Sequence, residues 1–167
     1  MAHRQHGKLP WASLFQPAIM LANEGFSVSP RLHALIAADL HLKKDPVAKA
    51  YFYLPNGQAL PVGYWLRNPG YAEVLKQLAI QGSTALHQGP IAQAIVGKVQ
   101  SHYSNPGTLS MQDLAQYQAK ERPPICLDYS ASTGKTYAVC GMPPPSSGMI
   151  AVGQILGQLS HTPAASF

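Results

Sequence analysis

The chain has 167 residues, enough for one domain, and a domain of this size buries about 68–70% of its unfolded surface. Charged residues make up only 11% of the sequence, and the formal net charge is +5 at pH 7. The 12 lysines and arginines are spread singly apart from Lys43-Lys44, so no nucleic-acid-binding surface is predicted. No run of about 18 apolar residues is present, so no membrane span is predicted, and the polar first residues do not form a signal peptide.

Proline and glycine are frequent, at 15 and 14 residues. Both residues interrupt helices and strands, so the sequence predicts many short elements with breaks between them. Together with the few charges, this composition is typical of a piece of a larger body. We therefore expect some apolar surface to be uncovered when the chain is alone.

The first predicted helix covers Pro10 to Glu24 and ends before Gly25, a residue that suits the position just past a helix end. Pro17 lies inside this pattern and is expected to kink the helix. Four apolar residues at helical spacing form its predicted buried face: Leu14, Ala18, Leu21 and Ala22.

A second helix is predicted to begin at Ser29, a good N-cap, with Pro30 as its first helical residue. The pair Asp45-Pro46 is expected to end it, because the residue before a proline avoids helical geometry. In residues 47 to 66, the apolar residues follow neither the helical nor the strand spacing throughout. Within them, Pro55-Asn56-Gly57 predicts a turn.

A third helix is expected from Asn68-Pro69 to just before Gly82. Its predicted buried face consists of Tyr71, Val74, Leu75, Leu78 and Ala79. A fourth helix covers about Ser83 to His102 and is expected to be broken near Gly89-Pro90, since proline cannot continue the hydrogen-bond ladder.

Strand-like spacing begins after Arg122. Pro124 to Asp128 and Lys135 to Cys140 predict two strands of a hairpin, joined by a turn rich in serine and glycine. Cys126 and Cys140 therefore fall on neighbouring strands. Two cysteines are too few for a disulfide framework, so reduced core thiols are predicted.

Two further helices are expected near serine residues. Ser110, followed by Asp113 three residues later, is an acidic variant of the capping box and predicts a short fifth helix. A sixth helix covers Met149 to Leu159. Glycines at 148, 153 and 157 would leave a smooth stripe on it, which predicts a deeply buried helix.

The segment Pro143-Pro144-Pro145-Ser146-Ser147-Gly148, called here the proline–serine corner, precedes this last helix. Three prolines without backbone N–H groups predict a rigid extended approach. Ser146 is predicted to cap the helix, accepting a hydrogen bond from the N–H of Gly148 or Met149. The serines do not lie in Gly-x-Ser-x-Gly and have no base near them in sequence, so they are not predicted as nucleophiles.

The seven histidines do not predict a metal site. His3 and His6 are three residues apart, but no cysteine or carboxylate accompanies them. His33 and His41 are eight residues apart and are expected to lie on the second helix, as solvated or capped side chains.

Several segments match a known family together. Pro143 to Gly148, after a short strand, resembles the Pro-Pro-Pro-Ser-Ser-Gly-Gly signature of the γ-glutamyltransferase (glutathione hydrolase) family, with Met149 in place of the second glycine. Ala85-Leu86-His87 departs from the aromatic pair that this family usually carries. Further similar segments are His6–Trp11, Leu14–Ile19, Glu24–Phe26, Val28–Leu32, Gly89–Ala92, Gly107–Ser110, Asp113–Tyr117 and Arg122–Pro124.

The resemblance implies an N-terminal-nucleophile hydrolase. Such an enzyme cuts itself at a threonine in a Thr-Thr-His context, and the new α-amino group then activates the threonine hydroxyl. These 167 residues contain no Thr-Thr-His, and the upstream region that carries the substrate-gripping arginine is not matched. The chain is therefore expected to be a central fragment of the large subunit and inactive by itself, with no catalytic, substrate-binding or metal residue assigned.

The implied fold is predominantly α with a small β-hairpin, part of the αββα fold of these hydrolases. One incomplete domain is expected over 1–167, with a helical region at 1–120 and the hairpin, corner and last helix at 121–167. The implied partners are a γ-glutamyl substrate, the rest of the large subunit and the small subunit. No cofactor is expected, and intact family members are periplasmic or extracellular. Two alternatives are a cephalosporin-type acylase of the same fold and a non-catalytic helical interaction module.

Overall fold

A computed structural model describes residues 1–162. The chain divides into two compact units, Met1–Tyr117 and Gln118–Phe167. Residues 163–167, the end of the predicted region 121–167, lie outside the described residues. Helix predominates and a small hairpin lies near the C-terminal end, which confirms the predicted fold class.

Eight α-helices and one pair of two-residue strands form the first unit. The helices are α1 (Ala2–His6), α2 (Gln16–Glu24), α3 (Pro30–Ala38), α4 (Pro46–Phe52), α5 (Pro69–Gln81), α6 (Thr84–His87), α7 (Gly89–Gln100) and α8 (Met111–Gln116). Short 3₁₀ turns cover Trp11–Phe15 and Leu42–Lys44. The antiparallel strands are β1 (Phe26–Ser27) and β2 (Trp65–Leu66).

The predicted first helix is divided between Phe15 and Gln16, just before Pro17. A 3₁₀ turn precedes α2, and Pro17 lies in the first turn of α2, where its missing N–H breaks no hydrogen bond. The expected kink inside one helix was therefore wrong. The predicted face was also partly wrong, because Ile19 and Ala22 are buried whereas Leu14 and Leu21 are 47% and 55% exposed.

Ser29 caps α3 as predicted, its Oγ accepting the N–H of Leu32 at 3.1 Å. The helix ends at Ala38, well before the predicted end. Asp39 Oδ1 accepts the N–H groups of His41 and Leu42, both at 2.7 Å, which turns the chain and lowers the pKa of Asp39, chiefly through the Leu42 bond.

Asp45-Pro46 begins a helix and does not end one. Asp45 Oδ1 accepts the N–H of Ala48 at 2.8 Å, and Pro46 is the first residue of α4. Aspartate followed by proline is also a helix-start signal, and here only the short 3₁₀ turn at Leu42–Lys44 precedes it, because α3 has already ended at Ala38. The predicted turn at Pro55-Asn56-Gly57 is confirmed, with Gly57 at φ +79° and its N–H donating to Leu54 O.

The start and end of α5 are confirmed. Asn68 Oδ1 accepts the N–H of Tyr71 at 2.9 Å, and Gly82 follows the helix at φ +67°. The buried residues of α5 are Ala72, Leu75 and Ala79, whereas Tyr71, from the predicted face, is 54% exposed. The expected break between α6 and α7 is present at Gly89, which has φ +75°.

Two apolar clusters hold the first unit together. The first core cluster contains Ile19, Ala22, Ala72 and Leu75, from α2 and α5. The second core cluster contains Val28, Leu60 and Leu66, beside the β1–β2 pair. The capping box predicted for α8 is confirmed: Ser110 Oγ accepts the N–H of Asp113 while Asp113 Oδ2 accepts the N–H of Ser110.

The second unit contains a hairpin and one helix: β3 (Ile125–Ser130), β4 (Thr136–Gly141) and α9 (Gly148–Leu159). The strands are antiparallel, as predicted, and their register places Cys126 opposite Cys140 with the Cα atoms 4.1 Å apart. A disulfide joins the two cysteines. The prediction of reduced thiols was wrong, because the pairing register that brings them together is not visible in their spacing.

Helix α9 packs against the hairpin with one side only. Met149 is buried, but Ile150 and Ile155 are 44% and 57% exposed. The expectation of a deeply buried helix is therefore wrong for this chain. The exposed side chains of α9 are instead an example of the uncovered apolar surface that the composition predicted. Within residues 1–162, no helix combines the length and apolar character that a membrane crossing needs.

Candidate functional site

The proline–serine corner connects the end of β4 to the start of α9. The N–H of Ser146 donates to Pro143 O at 3.1 Å, which closes a tight turn over the prolines. The Pro144–Pro145 peptide bond is cis. Helix α9 then begins at Gly148, and Ser147 O accepts the N–H of Ala151 at 3.0 Å. The chain therefore passes from strand to helix within six residues.

Ser146 holds the first turn of the helix by one weak bond. Its Oγ accepts the N–H of Gly148 at 3.4 Å, one of the two bonds predicted for it. Ser147 occupies the N-cap position but makes no side-chain cap bond, and the helix begins at Gly148, one residue before the predicted Met149. Met149 lies in helical geometry, as its bulk predicted, and is 5% exposed.

Two glycines allow α9 to lie close to the hairpin. A Cβ on Gly141, the last residue of β4, would lie 2.9 Å from Met149 Cβ. A Cβ on Gly153 would lie 3.0 Å from Leu127 Cδ2. Both distances are shorter than ordinary contacts, so the corner's helix is fixed against the strands by these close approaches.

A cavity of about 260 Å³ lies beside the corner. Lys120, Arg122, Met142, Pro143, Pro145 and Ser146 line it. Among the described residues, the lining combines two cationic side chains with one hydroxyl and contains no carboxylate, which favours anions over cations. Sequence analysis missed this grouping, because it depends on how the segment before β3 folds back beside the prolines.

Within residues 1–162, the hydroxyls of Ser146 and Ser147 hydrogen-bond to no histidine or carboxylate, and an activated serine needs such a base. Over the same residues, no three His, Cys, Asp or Glu side chains cluster as a metal site requires. The geometry therefore supports a structural and positioning role for the corner.

The histidines singled out from the sequence are dispersed. His3 contacts Leu9 O through Nε2 at 2.9 Å, and His33 contacts Leu60 O through Nδ1 at 2.8 Å. His33 lies on α3, but His41 lies beyond the end of that helix, directly before the 3₁₀ turn at Leu42–Lys44. The expectation that His33 and His41 share one helix was wrong, because the Asp39 turn separates them.

Solved structures define the class of fold. The gamma-glutamyltranspeptidase of Helicobacter pylori superposes with a TM-score of 0.83 at 27% sequence identity, over 97% of this chain and 44% of the other. The chain therefore has part of the N-terminal-nucleophile hydrolase fold of these enzymes.

Sequence comparison then gives the family. The profile of the gamma-glutamyltranspeptidase family matches residues 1–166. Glutathione hydrolase 3 of Arabidopsis thaliana is 33% identical over 95% of this chain and 24% of its own length. The acylase ACY 1 proenzyme of Pseudomonas sp. (strain V22) is 38% identical over 92% of this chain and 26% of its own length. The chain belongs to the gamma-glutamyltranspeptidase family and spans about a quarter of the length of these curated relatives.

Proposed function

We propose that this chain is a central segment of the large subunit of a γ-glutamyltransferase, acting in glutathione metabolism. In the intact enzyme, a threonine hydroxyl attacks the γ-glutamyl amide carbon, forms an ester and releases the amine. Water or an amino acceptor then takes the acyl group. The family profile that matches residues 1–166 is the observation that carries this proposal.

The contribution of this chain is scaffold and positioning. The sequence contains no Thr-Thr-His, and neither corner serine has a base among the described residues. The nucleophile therefore comes from another part of the enzyme. The proline–serine corner, residues 143 to 148, fixes the direction in which α9 leaves the hairpin, and the close contact of Gly141 with Met149 supports that geometry.

The remainder of the large subunit and the small subunit are the proposed partners. Four apolar side chains on α9 are exposed in this chain: Val152, Ile155 and Leu159, which share one face of the helix, and Ile150 on another side. Such a face is costly in water, at about 25 cal/mol for each Å² of apolar surface. The intact protein is about four times longer than this chain, and the remainder is large enough to bury these side chains.

An acylase is the second candidate. The identity of 38% to the Pseudomonas acylase is higher than the 33% to the plant glutathione hydrolase. Both enzyme types would use the same fold with a different acyl substrate. The substrate-gripping arginine expected upstream separates the two, and its presence in the flanking sequence would favour the transferase.

A non-catalytic interaction module is the alternative from another class. The exposed apolar face of α9 fits it as well, because either role requires a partner chain. The enzyme segment and the interaction module predict different sequences in the DNA that flanks this reading frame. An in-frame Thr-Thr-His codon run downstream supports the enzyme, whereas an unrelated neighbouring reading frame on both sides would contradict it.

An activity assay complements the DNA sequence. The isolated chain, purified from a host without its own γ-glutamyltransferase, should release no aniline from a γ-glutamyl anilide. The same chain extended to include both the upstream arginine region and the downstream Thr-Thr-His region should cleave itself and release aniline. Turnover by the isolated chain, or an extended chain that cleaves itself but acts on no γ-glutamyl or other acyl amide, would contradict the proposal.

A further inference from the structure

We propose that a cavity in the first unit, remote in sequence from the proline–serine corner, binds a small aromatic carboxylate. The cavity has a volume of about 760 Å³ and lies between α4, the loop that follows it and β2. It is called here the aromatic cavity. The side chains that carry the inference are Lys49, Tyr51, Tyr53, Tyr64, Trp65 and Arg67. The proposal is independent of the enzyme function proposed above.

The walls of the aromatic cavity are flat rings held in place by their polar ends. Trp65 Nε1 donates to Glu24 O at 2.6 Å, and Tyr53 Oη donates to Ile36 O at 2.7 Å. Both rings are therefore fixed before any ligand arrives, which lowers the entropic cost of binding. Tyr51 and Tyr64 add two further rings to the lining.

The base of the cavity is apolar and buried, as is Tyr53 at 5% exposure, whereas two of the wall side chains are open to solvent. Leu60 and Leu66, both from the second core cluster, are 2% and 4% exposed. By contrast, Tyr64 and Trp65 are 42% and 56% exposed. A ligand ring inserted here would cover apolar surface and reach offset or edge-to-face contact with these side chains.

The charge of the lining selects an anion. Lys49 and Arg67 are its two charged side chains, and the lining contains no aspartate or glutamate. Arg67 Nε donates to Glu24 O at 3.0 Å, which holds the guanidinium, and within residues 1–162 its two terminal nitrogens make no hydrogen bond or ion pair. A planar guanidinium with both terminal nitrogens available suits a carboxylate bound through two oxygens.

The combination defines the ligand class. A cavity of this size is within the usual range of about 300–1,000 Å³ for small-molecule sites. Rings along the walls and cations at the edge match a molecule with a flat apolar body and one carboxylate. A neutral aromatic molecule would leave both cations unused, and a small aliphatic acid would leave the rings uncovered.

Benzoate is a suitable probe, with benzamide as its neutral counterpart and acetate as the acid without a ring. Trp65 and Trp11 are the two tryptophans of the chain, and Trp11 donates its own Nε1–H to Leu78 O, away from the cavity. We expect benzoate to shift the indole N–H signal of Trp65 saturably in ¹H–¹⁵N spectra of the 167-residue chain. The Trp11 signal should not move.

Variants test the assigned residues. Arg67→Gln and Lys49→Gln should each weaken benzoate binding by on the order of tenfold, and Arg67→Lys should restore part of the loss. Lys76→Gln removes a cation outside the cavity, one that lies 3.6 Å from Glu73, and should leave the affinity unchanged. A linear shift without saturation, equal binding of benzamide or acetate, or equal weakening by Lys76→Gln would overturn the proposal. The ¹H–¹⁵N spectrum of Arg67→Gln should keep the chemical-shift dispersion of the unaltered chain. A loss of benzoate binding is then not caused by a loss of folding.

Discussion

Gly141 and Met149 are in contact across the proline–serine corner, so closely that the strand residue has no room for a side chain. A Cβ on Gly141 would lie 2.9 Å from Met149 Cβ and 3.0 Å from Met149 Sδ. This contact joins the end of β4 to the first turn of α9. Because Gly141 has no side chain, it leaves room for the side chain of Met149. This explains how a methionine is accommodated where the family has its second glycine.

Gly141→Ala should therefore destabilise the second unit by about 1–3 kcal/mol, the usual cost of overpacking. Gly157→Ala, in α9, is the matched control, because no atom of residues 1–162 lies within 4 Å of a Cβ at that position. It should stabilise the helix by about 0.5–1 kcal/mol. Urea unfolding followed by circular dichroism measures both. Equal effects of the two variants would contradict the proposed contact.

Ser146→Ala should cost about 0.5 kcal/mol, the low end of the range for a helix cap, because the bond to Gly148 N–H is long. Ser146→Gly should cost less. Ser147→Ala is the control, since Ser147 makes no side-chain cap bond, and it should have no measurable effect. The same unfolding measurement applies. A larger loss of stability from Ser147→Ala than from Ser146→Ala would show that Ser147, and not Ser146, caps the helix.

The capping box of α8 should contribute to the pH dependence of stability. The Ser110 hydroxyl, donating to Asp113 Oδ2 at 2.7 Å, and then the Ser110 N–H lower the pKa of Asp113. A lowered pKa in the folded state means that this stabilisation is complete above the unfolded pKa of about 3.9 and is lost as pH falls through the folded pKa.

Carboxyl NMR titration of Asp113 measures the effect directly. Ser110→Ala should raise the pKa of Asp113, because it removes the strongest of the causes that lower it. Ser101→Ala, on the neighbouring helix end, should leave the titration unchanged. An Asp113 titration that is the same with and without the Ser110 hydroxyl would show that the box does not form in solution.

Removal of the disulfide should destabilise the hairpin. The two cysteines lie 14 positions apart in the sequence, and closing a loop of this size stabilises a fold by about 3 kcal/mol in the chain-entropy treatment. Cys126→Ser with Cys140→Ser should lose roughly this amount, and Ser130→Ala, nearer the turn, should not. Intact-mass measurement after alkylation checks the bond first. Two alkylated cysteines in the unreduced native chain would contradict it.

Local signals were predicted correctly from the sequence. The caps at Ser29, Asn68 and Ser110 each involve a side chain and a backbone N–H three residues away, so neighbouring residues alone decide them. The break at Gly89 is equally local. By contrast, an Asp-Pro pair can either end or begin a helix. At Asp45-Pro46 the choice depends on the preceding turn at Asp39, which ends α3 before the pair is reached.

Features that depend on distant partners were missed. The buried face of α2 is set by α5, which covers Ile19 rather than Leu21. The Cys126–Cys140 bond requires the strand register, and the aromatic cavity requires residues of α4 and β2 to converge. In the candidate site, the identity of the corner was visible in its sequence, but the Gly141–Met149 contact and the nearby cations were not.

One backbone carbonyl has a wider consequence. Glu24 O, at the end of α2, accepts from both Trp65 and Arg67, and Gly25 follows at φ +98° where a Cβ would lie 2.6 Å from Trp65 Nε1. Helix α2 belongs to the first core cluster, whereas β2 borders the second. Opening either cluster would break both bonds and leave a helix-end carbonyl without its donors. The two clusters are thereby coupled, and the helices and the strand pair of the first unit should melt in one cooperative transition.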